Sequence, residues 1–196
     1  MEKYLQSFKL FSEADIAELL SLGKYAAIKK GDYFFKGGKV CDKVAFVFSG
    51  TFRHFYHLDS GEEVTYCFTL ADNFVTAYTS FVSNKNTDEH IQALTDCSLF
   101  VIPKVAMEEL INTRKNWMTF SRIIADRQYI KRENRIFLLQ KENAKHKYEH
   151  LLQTKPEYLQ IIPLQYLASY IGVTQRHLSR LRKEVSLWTE ILMRFG

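Results

Sequence analysis

Apolar and polar positions change texture twice along this chain. Ahead of residue 23, Phe8, Leu10, Phe11, Ile16, Leu19 and Leu20 recur at roughly helical spacing, and Ser12 stands as an N-cap before Glu13 and Asp15. That pattern predicts a short amphipathic helix. From Tyr25 to Pro103 the pattern becomes short β-favouring runs divided by turn residues. Ala26–Ile28 runs into Gly31-Asp32, Tyr33–Phe35 into Gly37-Gly38, Val44–Phe48 into Ser49-Gly50, and Thr51–Leu58 into Asp59-Ser60-Gly61. Further runs are Glu63–Leu70, His90–Leu94 and Leu99–Ile102. Strands this short and evenly punctuated predict a β-sandwich or β-roll, with a hairpin at Asp59-Ser60-Gly61.

After Pro103 the strand texture stops. Val105–Ile111 predicts a short helix, and from about Asn116 to Gln140 neither Gly nor Pro interrupts a long one. Along it Ile123, Ile130 and Phe137 lie seven apart, as do Phe120, Arg127 and Asn134. A β-roll does not easily cover so long a stripe, which predicts pairing with a second copy of itself. Packing of the stripe on the β-rich half is the alternative. The expected division is 1–112 for the β-roll, 113–141 for the dimerisation helix and 142–196 for a C-terminal helical domain.

Charge sharpens this division. Residues 1–112 carry 11 Lys and Arg against 15 Asp and Glu, whereas 113–196 carry 16 against 7. An acidic front and a basic back suggest a polyanionic partner for the back half. Three widely spaced cysteines, Cys41, Cys67 and Cys97, form no metal-type pair and suggest free thiols in a reducing cytoplasm. Neither a signal peptide nor an apolar run of membrane-spanning length is evident.

The segment Leu164–Lys183, LQYLASYIGVTQRHLSRLRK, matches the demands of a helix-turn-helix. Ala168 is small where two helices must touch, and Gly172 sits where the turn needs a left-handed backbone. Leu167, Ile171, Val173, Leu178 and Leu181 lock the pair, and Thr174 caps the second helix. Its polar face carries Gln175, Arg176, Ser179, Arg180 and Lys183. Arg pairs bidentately with guanine and Gln with adenine, while Lys and Ser serve phosphate. An ordinary helical hairpin with solvated arginines is the competing reading.

With these elements in this order, the chain resembles the Crp/Fnr regulators over nearly its whole length. The glycine-punctuated run from Gly31 through Gly50 to Gly61, the stretch Lys147-Tyr148-Glu149 with Leu151-Leu152 and Pro156, and Leu167–Gly172 with Leu178-Ser179-Arg180 carry the likeness. It is closest to the subgroup without a nucleotide cassette. The resemblance implies an α+β architecture: a β-roll like a cyclic-nucleotide-binding domain, a dimerisation helix, and a winged-helix-like helix-turn-helix domain. It also implies double-stranded DNA, a second copy and RNA polymerase as partners, with Gln175, Arg176 and Arg180 facing base edges.

Nucleotide-binding members offer a Gly-Glu pair for the ribose and a later Arg for the cyclic phosphate. Here Thr76 and Ala77 stand in those first positions, and Asp88-Glu89 occupy the region of the arginine, where they would repel a phosphate. Cyclic AMP is therefore not the expected effector, and no cofactor is expected. Phe74, Thr76, Ala77, Tyr78 and Phe81 line either a pocket for another molecule or a filled core. The oxygen-sensing branch places a cysteine cluster near its N-terminus, whereas the first cysteine here is Cys41.

Enzymatic readings find little support. His54 and His57 are three apart on a strand and point to opposite faces, so they cannot share a metal. His146 and His150 can meet on a helix but lack a third ligand. No nucleophile elbow or phosphate loop occurs. The expectation is a dimeric DNA-binding regulator, not an enzyme and with no metal; the alternative is a ligand-binding or scaffold β-roll with a vestigial DNA-binding domain. The tail stripe Leu187, Trp188, Ile191, Leu192 and Phe195 needs cover of some kind.

Overall fold

A computed structural model describes residues 1–195, with side chains described through Val185; the tail stripe from Leu187 to Phe195 lies outside the described side chains. The chain divides into two compact units, Met1–Glu62 with Cys67–Tyr129, and Glu63–Tyr66 with the residues from Ile130 onward.

The first unit opens with α1 (Glu2–Gln6) and α2 (Glu13–Leu22). The Ser12 hydroxyl accepts from the Asp15 amide at 3.2 Å, and the Asp15 carboxylate accepts from the Ser12 amide at 2.8 Å. This reciprocal cap starts α2 where the sequence places it. It does not extend back over Phe8, Leu10 and Phe11, which lie between the two helices. Lys9, at φ 55°, breaks the helical path there, and the rings pack in place of a helical stripe: Phe8 meets Phe120 at 4.9 Å and Phe11 meets Trp117 at 4.3 Å. The predicted helix is thus α2 alone, and α1 stands ahead of it where the pattern placed none.

Eight strands follow: β1 (Lys24–Ile28), β2 (Tyr33–Phe35), β3 (Lys43–Ser49), β4 (Phe52–His57), β5 (Glu63–Thr69), β6 (Asn73–Val75), β7 (His90–Ala93) and β8 (Cys97–Pro103), with α3 (Tyr78–Ser83) between β6 and β7. They form one sheet in the order β1-β8-β3-β6 and another in the order β2-β7-β4-β5. The Asp59-Ser60-Gly61 turn closes as expected. Gly61 stands at φ 83°, and the Leu58 amide donates to the Glu62 carbonyl at 2.9 Å. At Gly50, φ 96° combines with crowding, because an added Cβ would lie 2.5 Å from the Cys97 sulfur. Ala45, Val47, Phe52, Ile91 and Leu99 fill the space between the sheets, fully buried. Each of the four larger side chains removed from water contributes about 1.5–3 kcal/mol.

Helices α4 (Lys104–Thr113) and α5 (Lys115–Lys141) come next. Trp117 and Phe120, at the start of α5, belong to the first unit's core. In the second unit, the latter part of α5 is joined by α6 (Ala144–Thr154), α7 (Pro156–Ile161), α8 (Leu164–Ile171) and α9 (Gln175–Phe195). Asn143 caps α6 through the His146 amide at 3.0 Å, and Pro156 takes the first position of α7, where its missing N–H costs nothing. Tyr148, Leu151, Tyr158, Ile162, Leu167, Ile171 and Leu178 form this unit's own core.

One expectation needs correcting here. No strand follows residue 103 among the described residues, so the wing of a winged helix is absent from them. The physical reason is local. Between Val173 and Phe195 no Gly or Pro interrupts the run, and the helix continues.

Candidate nucleic-acid interface

The turn between α8 and α9 is built by Gly172, at φ 75° and ψ 40°. The Val173 amide reaches back to the Ala168 carbonyl at 3.0 Å, the six-residue closure of a Schellman turn. A Cβ at Gly172 would meet nothing within 4 Å. Glycine is needed there for its left-handed backbone alone. Ala168, 1% exposed, lies in the contact between the helices with Leu167, Ile171, Leu178 and Leu181. Thr174 then caps α9, its hydroxyl accepting from the His177 amide at 3.2 Å.

With Leu178 and Leu181 turned inward, the opposite face of α9 is set by helical geometry. Thr174, Gln175, Arg176, Arg180 and Lys183 are exposed and Ser179 is half-buried. Arg182, which the sequence reading passed over, is exposed as well. The face thus presents donors suited to base edges and phosphates together, with the amides of the α9 N-terminus beside them.

Two residues that support this face were not legible in the sequence. Arg135 donates to the Tyr170 carbonyl, and its guanidinium lies 3.5 Å from the centroid of the Tyr170 ring. A cation there suits the C-terminal end of α8. Ser169 accepts from the Thr65 amide at 2.9 Å and donates to the Glu63 carbonyl at 3.2 Å. Both partners lie far away in sequence, and no local pattern announces them.

The stripe on α5 divides. Phe120 is 6% exposed and packs in the core of its own chain, so it is not part of an open seam. Arg127 lays its guanidinium over the Phe8 ring at 4.8 Å. Ile123 is half-buried and Asn134 exposed. Ile130 and Phe137, by contrast, are 56% and 45% exposed, with Tyr129 and Ile136 beside them in sequence at 67% and 51%.

In the stretch corresponding to a nucleotide cassette, the side chains are committed elsewhere. Phe74 packs with Phe46 and Phe120 at 5.3 and 6.0 Å, Ala77 is fully buried, and Phe81 is 8% exposed under the Lys104 ammonium. The Thr76 hydroxyl donates to the Lys43 carbonyl at 2.9 Å, while Tyr78 is the exposed member of the set. Ser80 accepts from the Cys41 amide at 2.9 Å and donates to the Lys85 carbonyl at 2.7 Å. Glu89 turns inward to His54 at 2.7 Å, and the other nitrogen of that imidazole meets the Thr69 hydroxyl at 2.8 Å. This arrangement does not fit a cyclic nucleotide. A methyl at Ala77 cannot hold a ribose hydroxyl, and a carboxylate at Asp88 opposes a phosphate.

The histidines read as metal candidates have other partners, His146 meeting Glu142 at 3.1 Å. Among the described residues no group of three or more His, Cys, Asp or Glu is placed to hold a metal. Among them, too, no helix is long and apolar enough to cross a membrane.

Two packed sheets, a long helix and a terminal helix-turn-helix define the class of fold. Comparison with known proteins shows what that fold is similar to. Residues 26–114 match the cyclic nucleotide-binding domain family. FixK2 from Bradyrhizobium japonicum superimposes with a TM-score of 0.75 at 14% identity, covering 85% of this chain and 86% of that one. A transcriptional regulator assigned to the crp/fnr family from Eubacterium rectale gives 0.73 at 16%, covering 94% and 88%. A CooA variant from Carboxydothermus hydrogenoformans gives 0.70 at 15%, covering 94% and 84%. No curated protein matches the chain in sequence. Residues 26–114 therefore form a domain of the cyclic nucleotide-binding family, set within the Crp/Fnr fold, and the resemblance to Crp/Fnr proteins read from the sequence is borne out.

Proposed function

We propose that the chain is a cytoplasmic transcription regulator that binds double-stranded DNA as a homodimer. Each subunit lays α9 in a major groove, with Gln175, Arg176 and Arg180 toward base edges and Thr174, Ser179 and Lys183 toward phosphates. The observation carrying this reading is the exposed cationic face of α9, held at a fixed angle to α8 by Gly172 and backed by Leu178 and Leu181. Pairing runs along α5 through Ile130 and Phe137. Two-fold symmetry then calls for a near-palindromic site with half-site centres about 34 Å apart. RNA polymerase is the partner implied by the family, and cyclic AMP is not the effector.

Fluorescence anisotropy against a randomised duplex pool, with sequencing of the retained fraction, tests this reading. Binding that falls steeply with salt is expected. Arg176→Ala and Arg180→Ala each weaken the selected site by about 1–3 kcal/mol, roughly five- to 150-fold, and relax sequence preference. Affinity no greater than nonspecific background would return the chain to the alternative, a ligand-binding or scaffold protein with a vestigial helix-turn-helix.

A further inference from the structure

Within the second unit, α6, α7, α8 and α9 share a core in which Tyr148, Leu151, Tyr158, Leu167 and Leu178 are buried. The part of α5 that belongs to the same unit does not join that core by burial. Among the described residues the buried side chains of α5 are Trp117 and Phe120, both in the first unit's core. From Ile130 onward, Leu138 and Leu139 are half-buried, while Ile130, Ile136 and Phe137 are exposed. Apolar packing therefore leaves the angle between this part of α5 and the helix-turn-helix weakly determined.

Arg135 of α5 reaches across that gap. Its Nη2 donates to the Tyr170 carbonyl, and its guanidinium carbon lies 3.5 Å from the centroid of the Tyr170 ring. Tyr170 is the last residue but one of α8, so its carbonyl is among those that no intrahelical amide reaches. The guanidinium thus supplies a donor at the negative end of α8 and covers the ring of the same residue. Tyr158 of α7 meets that ring edge-on at 6.1 Å. A planar fork can grip backbone and ring together; the compact ammonium of a lysine cannot. Whatever holds α8 also holds α9, because the Gly172 turn and the buried Leu178 and Leu181 join the two helices into one piece.

Resting on the reading of α5 as the pairing helix and α9 as the DNA-contacting one, we propose that Arg135 is a positioning residue. It fixes the angle of each helix-turn-helix on α5, and so sets the half-site spacing that a dimer accepts. Moving one half-site by a base pair carries it about 3.4 Å along the duplex and turns it by about 35°. Two recognition helices held rigidly on a paired α5 cannot follow that displacement. Two helices released from Arg135 can, because the remaining covalent link from α5 is the two-residue connection Glu142-Asn143 ahead of α6.

The test uses the full chain and the duplex selected from the randomised pool, remade with its half-sites one base pair closer and one further apart. The wild type should bind the displaced duplexes roughly tenfold more weakly or worse. Arg135→Ala should bind the original duplex about five- to tenfold more weakly, and the displaced ones within about threefold of it. Arg135→Lys, which keeps the charge and loses the fork, should flatten the spacing preference in the same way. Base preference inside each half-site, the slope of affinity against salt and the melting profile should stay as in the wild type. A sharp spacing preference kept by both variants overturns the proposal and leaves the DNA-binding reading standing. A salt slope lowered by about one in Arg135→Ala also overturns it, as the mark of a direct phosphate contact. If the wild-type chain selects no duplex, the DNA-binding reading falls and this proposal falls with it.

Discussion

Single residues decide the two sharpest features of this molecule. Gly172 has free space where a Cβ would be, so its replacement costs backbone strain and nothing else. Gly172→Ala should lower the stability of the second unit by about 1–2 kcal/mol, measured by denaturant unfolding, and Gly172→Asn should recover most of the loss. The Ser12–Asp15 cap has a pH signature. The Ser12 hydroxyl, then its amide, hold the Asp15 carboxyl below its ordinary range. With a depressed folded value, the contribution is present above the unfolded pKa and is lost as pH falls through the folded one. Ser12→Ala should therefore cost about 0.5–2 kcal/mol near neutrality, toward the lower end because solvent reaches the pair. That difference should shrink when unfolding is followed down through pH values below about 4.

Among the elements, α5 carries the most consequence. Its first turns are tied into the first unit's core by Trp117 and Phe120, and further along it Ile130 and Phe137 are exposed. Apolar side chains on an exposed helix face mark a surface awaiting cover. Ile130→Glu or Phe137→Glu should convert a dimer into a monomer in sedimentation velocity while leaving far-UV dichroism intact. The same measurement on Phe120→Ala should report lost stability, about 3–5 kcal/mol, and an unchanged association constant. Most strands were legible because turn glycines and β-branched runs are local signals; β6 and α3 are short and have no glycine beside them to mark their ends.

Across the whole molecule, the effector question turns on burial. Thermal-shift measurements with cyclic AMP should show no stabilisation, since Ala77 and the inward-turned Glu89 offer a nucleotide nothing to bind. A positive shift that follows ligand concentration would place a site elsewhere in the first unit. The chain's own residues dictated the order of strands, long helix and helix-turn-helix, because capping, turn chemistry and hydrophobic period act over a few neighbours. Folding in three dimensions settled what those signals cannot reach: that Glu89 pairs with His54, that Arg135 closes on Tyr170, and that Phe120 is core. Such pairings join residues dozens of positions apart or turn on which side chains the packing leaves exposed, and only packing chooses among the many partners that composition allows.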